Sequence, residues 1–205
     1  ADALLKARNK LRALLLLSKS GIRFPRTVLG NFHEHADYLV ESVGGIPVII
    51  KLLSGTHGLG VILAEDERTA ESIIEAFQKL KEGIIVQEYI QEAGGEDIRA
   101  FVIGEEIVAS MKRKALPGEF RSNLHRGGSA SKINLTAAEV FTAKEAVRIL
   151  GLKVAGVDML QSHRGPLLIE VNPSPGLEGI EETTGIDIAG QVIALIEKEA
   201  VKNKV

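Results

Sequence analysis

The sequence predicts an α+β fold built mainly on antiparallel sheet. Its first half alternates short β-branched segments with segments of helical spacing. From Asp97 onward, two longer strand-like segments are separated only by Gly104-Glu105-Glu106, which is typical of an antiparallel hairpin. A second pair of strand-like segments flanks Ser162-His163-Arg164-Gly165 in the last third of the chain.

Apolar spacing and glycine stops define the elements of the first half. Residues 2–19 carry leucines at helical spacing with basic residues between them, and Gly21 follows as a stop signal. A β-branched run ends at Ser54-Gly55, and a second strand follows this glycine turn. In chain order we expect a helix over 2–19, a strand over 26–29, a helix over 33–43, strands over 47–53 and 60–64, a helix over 65–81 and a strand over 84–90.

The second half is dominated by the two hairpins. We expect strands over 98–103 and 107–111, a polar stretch over 112–132, a helix over 137–150, strands over 154–161 and 167–171, and a final helix from 187 to 198. The change of pattern near 91–96 predicts a division of the chain. We therefore expect an opening helix over 1–20, a small lobe over 21–90 and a large lobe over 91–205, with a cleft between the two lobes.

Composition excludes several classes of protein. The 205 residues include 25 Lys and Arg against 27 Asp and Glu, so the net charge of −2 provides no global basic field for nucleic acid. Cysteine is absent, which excludes disulfides, thiolate metal sites and a cysteine nucleophile, and a reducing cytoplasm is the simplest compartment. The early apolar run Leu14–Leu17 is too short to span a membrane. No serine-hydrolase elbow is present, and His33-Glu34-His35 lacks metalloprotease spacing.

The second hairpin carries a candidate metal site. If its turn centres on His163 and Arg164, Asp158 lies opposite Glu170 to within about one residue. Asn172 shares a face with Glu170, because side chains two residues apart on a strand point the same way. Facing carboxylates repel unless a cation lies between them, and oxygen ligands favour Mg²⁺ or Mn²⁺. The alternative is an edge hairpin with a solvated polar face.

A glycine-rich segment follows a strand lysine. Gly55, Gly58 and Gly60 come after Lys51, and their backbone N–H groups can approach phosphate oxygens while the lysine adds a positive charge. The segment matches neither the Walker A motif nor the dinucleotide fingerprint. An ordinary hairpin turn is the alternative interpretation.

A local basic patch lies at 112–114 and 120–128. Its arginines suit phosphates or a carboxylate substrate. Nucleic acid is a competing ligand, but only Phe120 is available there for stacking, and a solvated loop is a third interpretation. A metal site, a phosphate loop and a cationic patch together are the parts that phosphoryl transfer needs. ATP-dependent chemistry is therefore the leading hypothesis.

These segments resemble the ATP-grasp superfamily and, more narrowly, the RimK-type glutamate ligases that modify a small-subunit ribosomal protein. The resemblance covers essentially the whole chain. The matching stretches are Lys51 with Gly55-Thr-His-Gly-Leu-Gly-Val61, Val86-Gln-Glu-Tyr-Ile90, Gly95-Glu-Asp-Ile-Arg99, Gly118-Glu-Phe-Arg-Ser-Asn-Leu-His-Arg-Gly-Gly128, Val154-Ala-Gly-Val-Asp158, Glu170-Val-Asn172 and Ser174-Pro-Gly-Leu-Glu-Gly-Ile180.

The resemblance implies an ATP-grasp fold, in which two α+β lobes with antiparallel sheets enclose the nucleotide cleft. It implies that ATP phosphorylates a carboxylate to an acyl phosphate, and that an amine then displaces phosphate to give an amide and ADP. Two Mg²⁺ or Mn²⁺ ions would bridge the phosphates, held by Asp158, Glu170 and Asn172. Arg113 would be the catalytic cation beside the transferred phosphoryl group.

Further site residues follow from the matched motifs. The resemblance assigns ATP binding to Lys10, Lys51, Gly55, Gly58, Gly60, Glu88, Tyr89, Asp97, Arg121, Ser122 and Asn123. It assigns substrate binding to Arg99, Arg126, Ser174 and Gly176. Two positions depart from the family pattern, because His57 stands where glutamine is expected and Pro173 where alanine is common.

The expected function is ligation of L-glutamate to a protein or peptide C-terminus, as in ribosomal protein modification. The alternatives are ligation of glutamate or another amino acid to a small cofactor or amino-acid carrier, and a nucleotide-binding fragment without turnover. Relatives carry a further N-terminal domain, so we expect this chain to be a fragment or a shortened relative. The expected partners are glutamate and its acceptor, with no nucleic acid and no membrane, in a cytoplasmic homo-oligomer.

Overall fold

The computed structural model describes residues 2–31, 33–53, 60–124 and 127–202. In chain order the elements are α1 (Asp2–Arg8), α2 (Lys10–Ser18), β1 (Thr27–Gly30), α3 (Ala36–Ser42), β2 (Val48–Leu52), β3 (Val61–Ala64), α4 (Glu67–Lys79), β4 (Ile84–Glu88), a short 3-10 helix (Gln91–Ala93), β5 (Glu96–Ile103), β6 (Glu106–Lys114), β7 (Ser129–Lys132), α5 (Ala137–Leu150), β8 (Val154–Leu160), β9 (Leu167–Asn172), α6 (Glu178–Thr184) and α7 (Ile188–Lys202). None of the helices in these described ranges is long and apolar enough to cross a membrane.

The chain divides into two compact units. Phe24–Gln91 forms one, called the insert unit below. The described residues of Ala1–Arg23 and Glu92–Val205 form the other, called the main unit. The opening helices therefore group with the C-terminal part of the chain, because α1 and α2 contact α5.

The insert unit packs two helices on one face of an antiparallel sheet with strand order β1-β4-β2-β3. Ile50 and Val86 point toward these helices and pack with Leu39 of α3 and Ile74 of α4. Because side chains alternate along a strand, the opposite face of the sheet carries polar positions, which include Lys51 and its neighbours on β4 and β1.

The main unit is built on a five-stranded antiparallel sheet with the order β7-β6-β5-β8-β9. Phe101 and Met111 lie on the face that packs with Ile180 of α6 and Ile188 of α7. Helix α5 contacts the same sheet at β5 and β8. Alternation along β5 places Asp97 and Arg99 on the face of Phe101, so this face changes from apolar to charged along the strand.

The α+β class with antiparallel sheets is confirmed, and helix α5 has the predicted bounds. The prediction of one continuous opening helix is wrong, because the side chain of Asn9 accepts a 2.9 Å hydrogen bond from the Arg12 amide and begins a new helix. The predicted helix over 33–43 begins only at Ala36. The polar stretch 112–132, for which no strand is predicted, contains the end of β6 and all of β7, and α6 is not predicted.

Candidate active site

The hairpin of β8 and β9 brings together two of the predicted metal ligands. Asp158 pairs with Glu170 in the strand register. Asn172 lies two residues beyond Glu170 on β9 and pairs with Gly156 on β8. The predicted cross-strand pairing is therefore confirmed, although a register shift follows Asp158. Asp158 is buried and Glu170 is exposed, so the hairpin places a buried carboxylate beside a solvent-exposed one.

Two arginines hold Asp158. Arg99 donates from Nε to Oδ1 at 2.7 Å and from Nη2 to Oδ2 at 2.6 Å. Arg113 donates from Nη2 to the same Oδ2 at 3.0 Å. The strand register explains these contacts, since Arg99 lies directly opposite Asp158 on the neighbouring strand.

Arg113 also holds Asp97, its register partner across β5 and β6. Its Nε and Nη2 atoms donate to the two Asp97 carboxylate oxygens at 2.7 and 2.5 Å. Both arginines thus use the two-pronged geometry that suits a carboxylate. We call Asp97, Arg99, Arg113 and Asp158 the arginine–aspartate cluster; its formal charges sum to zero.

Burial and charge set the ionisation of this cluster. Burial opposes the charged form of Asp158, but the charges of Arg113 and Arg99 outweigh it and hold the pKa of Asp158 below its ordinary value. Burial dominates at Asp97 and raises its pKa, despite the contact with Arg113. Burial likewise disfavours the charged form of Arg113, yet the charge of Asp158 raises its pKa overall. The cluster therefore keeps both arginines charged on a buried sheet face.

The loop before β7 meets the cluster through Ser122, which is buried and hydrogen-bonds Asp97. Its neighbour Arg121 is held by Glu119, with distances of 2.9 Å from Nε and 2.8 Å from Nη2 to the carboxylate. This hydrogen bond lowers the pKa of Glu119 to about 2. The Arg121 guanidinium also lies 5.1 Å from the centre of the Phe120 ring. Arg121 is therefore oriented within its own loop.

The positive charges of Lys112, Arg113 and Lys114 on β6 are paired with carboxylates on β5 and β8. Lys112 and Lys114 both pair with Glu96, at 3.1 and 3.0 Å, while Arg113 pairs with the two aspartates. The sequence suggested a cationic surface here. The structure instead pairs each of these three cations with a carboxylate.

The insert unit holds a second group of predicted residues. Lys51 Nζ donates a 2.6 Å hydrogen bond to Oε1 of Gln87, and Glu88 accepts a 3.0 Å hydrogen bond from the Arg26 amide. Tyr89 follows β4 and is half-buried. Gly60 adopts a φ of +71°, and a Cβ atom there would lie 2.6 Å from Leu52 Cδ1, so the position requires glycine.

The remaining described residues of the predicted site lie in the main unit. Lys10 is the first residue of α2 in the main unit. The Ser174 amide donates to Asn172 Oδ1 at 3.0 Å, which fixes the amide of a predicted metal ligand, and Gly176 is exposed. Asn123 is half-buried beside Ser122. The predictions for Gly55, Gly58, Arg126 and His57 lie outside the described residues.

Two residues that hold predicted site residues in place were not predicted from the sequence. Gln87, the partner of Lys51, follows three apolar residues in β4, and that contrast was a usable signal. Glu119, the partner of Arg121, lies inside the quoted motif but has no distinguishing pattern. Within the described ranges, no group of three or more histidines or carboxylates is arranged to hold a metal, so the predicted set depends on the amide of Asn172.

Comparison with known proteins decides the family. A family model described as the RimK-like ATP-grasp domain matches residues 7–196. The chain belongs to the RimK-like ATP-grasp family. A curated relative from Pseudomonas aeruginosa strain UCBPP-PA14, named "Probable alpha-L-glutamate ligase", is 59% identical over 196 residues, which cover 96% of this chain and 65% of the relative. One from Picosynechococcus with the same name is 54% identical over 204 residues, covering 100% of this chain and 68% of the relative.

The fold is confirmed by solved structures. The ATP-grasp ligase PsnB, in a complex with a phosphomimetic variant of a minimal precursor, Mg and ADP, superposes with a TM-score of 0.75. The aligned part covers 95% of this chain and 59% of that chain at 23% sequence identity. The chain thus has the ATP-grasp fold and spans about two thirds of the length of its curated relatives.

Proposed function

We propose that this RimK-like chain is the ATP-grasp portion of an ATP-dependent carboxylate–amine ligase that adds L-glutamate to the C-terminus of a protein or peptide. The observation that carries the proposal is the arginine–aspartate cluster beside Glu170, a set of oriented charges on one sheet face. The curated names of relatives at 54–59% identity support glutamate as the substrate.

The donor set on β8 and β9 fits Mg²⁺ or Mn²⁺. Asp158, Glu170 and Asn172 offer only oxygen ligands, which these hard cations prefer. Asp158 accepts three hydrogen bonds from the two arginines, and a carboxylate has about four acceptor sites, so capacity remains for one further ligand. The bound ions would neutralise negative charge on the ATP phosphates and on the transferred phosphoryl group.

The protein's own residues would supply orientation and positive charge. Arg113 is held by two carboxylates, so its charge would be oriented in advance toward the negative charge that develops on the transferred phosphoryl group. Arg99 would act in the same way toward the substrate carboxylate. Lys51 and Lys10 would contact ATP phosphates, and Glu88 with Tyr89 the adenine edge.

The reaction needs no covalent enzyme intermediate. The C-terminal carboxylate of the acceptor attacks the γ-phosphorus of ATP and releases ADP, and the amine of glutamate then attacks the acyl carbon, loses a proton and expels inorganic phosphate. One amide bond forms for each ATP cleaved to ADP and phosphate. Alignment and charge neutralisation therefore account for the catalysis we propose. The proposal includes a cytoplasmic homo-oligomer, and the absence of cysteine supports the compartment.

The test couples ADP release to product mass. The purified chain is incubated with ATP, Mg²⁺, glutamate and a panel of peptides and small amino acids, and acceptors are screened by mass spectrometry for added glutamate. We expect ADP and amide to form in equal amounts, and Glu170→Gln to reduce turnover by at least about a hundredfold. Glu71→Gln, an exposed glutamate on α4, is the matched control and retains turnover.

Two results would contradict the proposal. One is a preparation that binds ATP in calorimetry but forms no amide with any acceptor. The other is full turnover by Glu170→Gln, which would remove the hairpin from the site.

A further inference from the structure

Gln87 is a buried polar side chain in the middle of the insert-unit sheet. Only 6% of its surface is exposed, and it lies in a strand whose preceding residues, Ile84 to Val86, are all buried and apolar. A buried amide is costly unless its oxygen and its nitrogen both find partners. Both atoms of the Gln87 amide do so.

The amide forms the middle of a hydrogen-bond chain. Lys51 Nζ donates to Gln87 Oε1 at 2.6 Å, and Gln87 Nε2 donates to Thr27 Oγ1 at 2.9 Å. The Thr27 hydroxyl then donates to the Pro25 carbonyl oxygen at 2.8 Å. We call these four groups the glutamine relay.

The direction of the relay is fixed from both ends. An ammonium group can only donate, and a backbone carbonyl oxygen can only accept. The Thr27 hydroxyl hydrogen points to Pro25, so its oxygen must accept from the amide nitrogen. A flipped Gln87 would turn its NH₂ group toward the ammonium of Lys51, which also only donates. One orientation of the amide therefore satisfies every group.

Strand register makes the relay rigid. Gln87 lies opposite Thr27 on β1 and opposite Ile49 on β2, and Lys51 is two residues beyond Ile49 on the same face. The relay thus crosses three adjacent strands. Backbone pairing sets the spacing of its side chains, so the tip of a long lysine is held by the sheet.

We propose that Gln87 is a positioning residue, which fixes the Lys51 ammonium where it meets the phosphates of ATP. The inference rests on the proposed function, since it takes ATP as the ligand. A free lysine side chain loses rotamer freedom when it binds an anion, and a prearranged one loses less. The amide is neutral, so it orients the ammonium without cancelling its charge.

The first test separates phosphate contacts from base contacts. Gln87→Met keeps the length of the side chain and removes both hydrogen bonds, while Thr27→Val removes only the hydroxyl. We expect Gln87→Met to weaken ATP binding about tenfold and Thr27→Val about threefold in calorimetry, with adenosine affinity unchanged in both. Thermal melts by circular dichroism establish that each variant is folded.

A double-mutant cycle shows whether Gln87 acts through the lysine. In a Lys51→Met background, Gln87→Met should change ATP affinity by less than about twofold. An equal loss in both backgrounds would overturn the proposal. So would an equal loss of adenosine affinity, because Gln87 would then contact the base.

A measurement without nucleotide distinguishes failure of this inference from failure of the proposed function. Lys51 is acetylated with acetic anhydride and quantified by peptide mass spectrometry, with the exposed Lys79 as internal reference. We expect Gln87→Met and Thr27→Val each to speed labelling of Lys51 relative to Lys79, because the ammonium is released. Unchanged labelling overturns the positioning role. Faster labelling in a protein that does not bind ATP supports the relay and overturns the ligase.

Discussion

The two sheets of this protein hold their cations by different means. In the main unit, Arg99 and Arg113 are fixed by two carboxylates, and all four side chains are at most slightly exposed. In the insert unit, the Lys51 ammonium donates to the neutral amide of Gln87. In the first arrangement, the charges of the cations and of the side chains that orient them sum to zero. In the second, the side chain that orients the cation is neutral.

Because of this difference, we expect the main-unit cluster to affect mainly fold stability and the Lys51 arrangement to affect mainly the binding of anions. A buried carboxylate that loses its cation, or a buried cation that loses its carboxylate, costs several kcal/mol, so the main-unit cluster is tied to folding. An amide that loses its lysine costs only one hydrogen bond. We therefore expect substitutions in the main unit to act first on stability and substitutions in the insert unit to act first on anion affinity.

The largest effect is expected from Asp158→Asn. The change leaves Arg99 without a carboxylate and removes one of the two carboxylates of Arg113. The free energy of unfolding should fall by about 3–5 kcal/mol, measured by urea denaturation. Glu170→Gln is the matched control, because it lies directly opposite on β9 and is exposed, and should change stability by less than about 0.5 kcal/mol. Equal losses in the two variants would contradict the comparison.

A smaller loss of unfolding free energy is expected for Arg113→Lys. Arg113→Lys keeps the charge but cannot make the paired contacts to Asp97 while also reaching Asp158, so we expect a loss of about 2 kcal/mol. Arg99→Lys serves as the comparison, since Arg99 contacts one carboxylate and should cost less. A larger loss for Arg99→Lys in the same urea experiment would show that the shared contact is unimportant.

The insert unit should respond weakly in stability. Lys51→Met removes the hydrogen bond to Gln87 and should lower the free energy of unfolding by about 1 kcal/mol, measured in the same urea experiment. A loss as large as that of Asp158→Asn would mean that Lys51 is a structural cation, and the contrast between the sheets would disappear.

The smallest effect concerns pH and the more exposed pair of Glu119 and Arg121. The folded pKa of Glu119, about 2, lies below its ordinary value of 4.5. Its stabilising contribution is therefore complete above the ordinary value and is lost as pH falls from there through about 2. Glu119→Gln should show less loss of stability than the parent between pH 5 and pH 2, and less than about 1 kcal/mol of destabilisation at pH 7. Identical pH profiles in urea denaturation would contradict the assigned shift.

Much of the fold could be predicted from local pattern. Helix α5 matched because Thr136 and Glu139 form a capping box at its start and Gly151 ends it in a left-handed conformation. The pairing of Asp158 with Glu170 followed from counting back along the hairpin. The break at Asn9 and the short helix α6 escaped prediction, because the first is a side-chain cap inside a leucine-rich run and the second is a polar segment with little apolar spacing.

The arginine–aspartate cluster could not be derived from the sequence. Counting back from the observed closing pair of the first hairpin, Ile103 and Glu106, would place Lys112 opposite Asp97, whereas the structure pairs Asp97 with Arg113. The difference is a register shift between Phe101 and Val102, which moves the facing residues by one position. Contacts across three strands depend on such shifts in the main unit, and the glutamine relay depends on the regular register of β1, β4 and β2.

The grouping of the opening helices with the main unit has a consequence for synthesis on the ribosome. Helices α1 and α2 emerge before the insert unit, yet the helix they contact, α5, is completed only at Leu150. The strands of the insert unit, by contrast, find all their pairing partners within Phe24–Gln91. The insert unit can therefore fold cotranslationally before the opening helices have their packing partners. The apolar surface of these leucine-rich helices needs protection until the rest of the main unit has been synthesised.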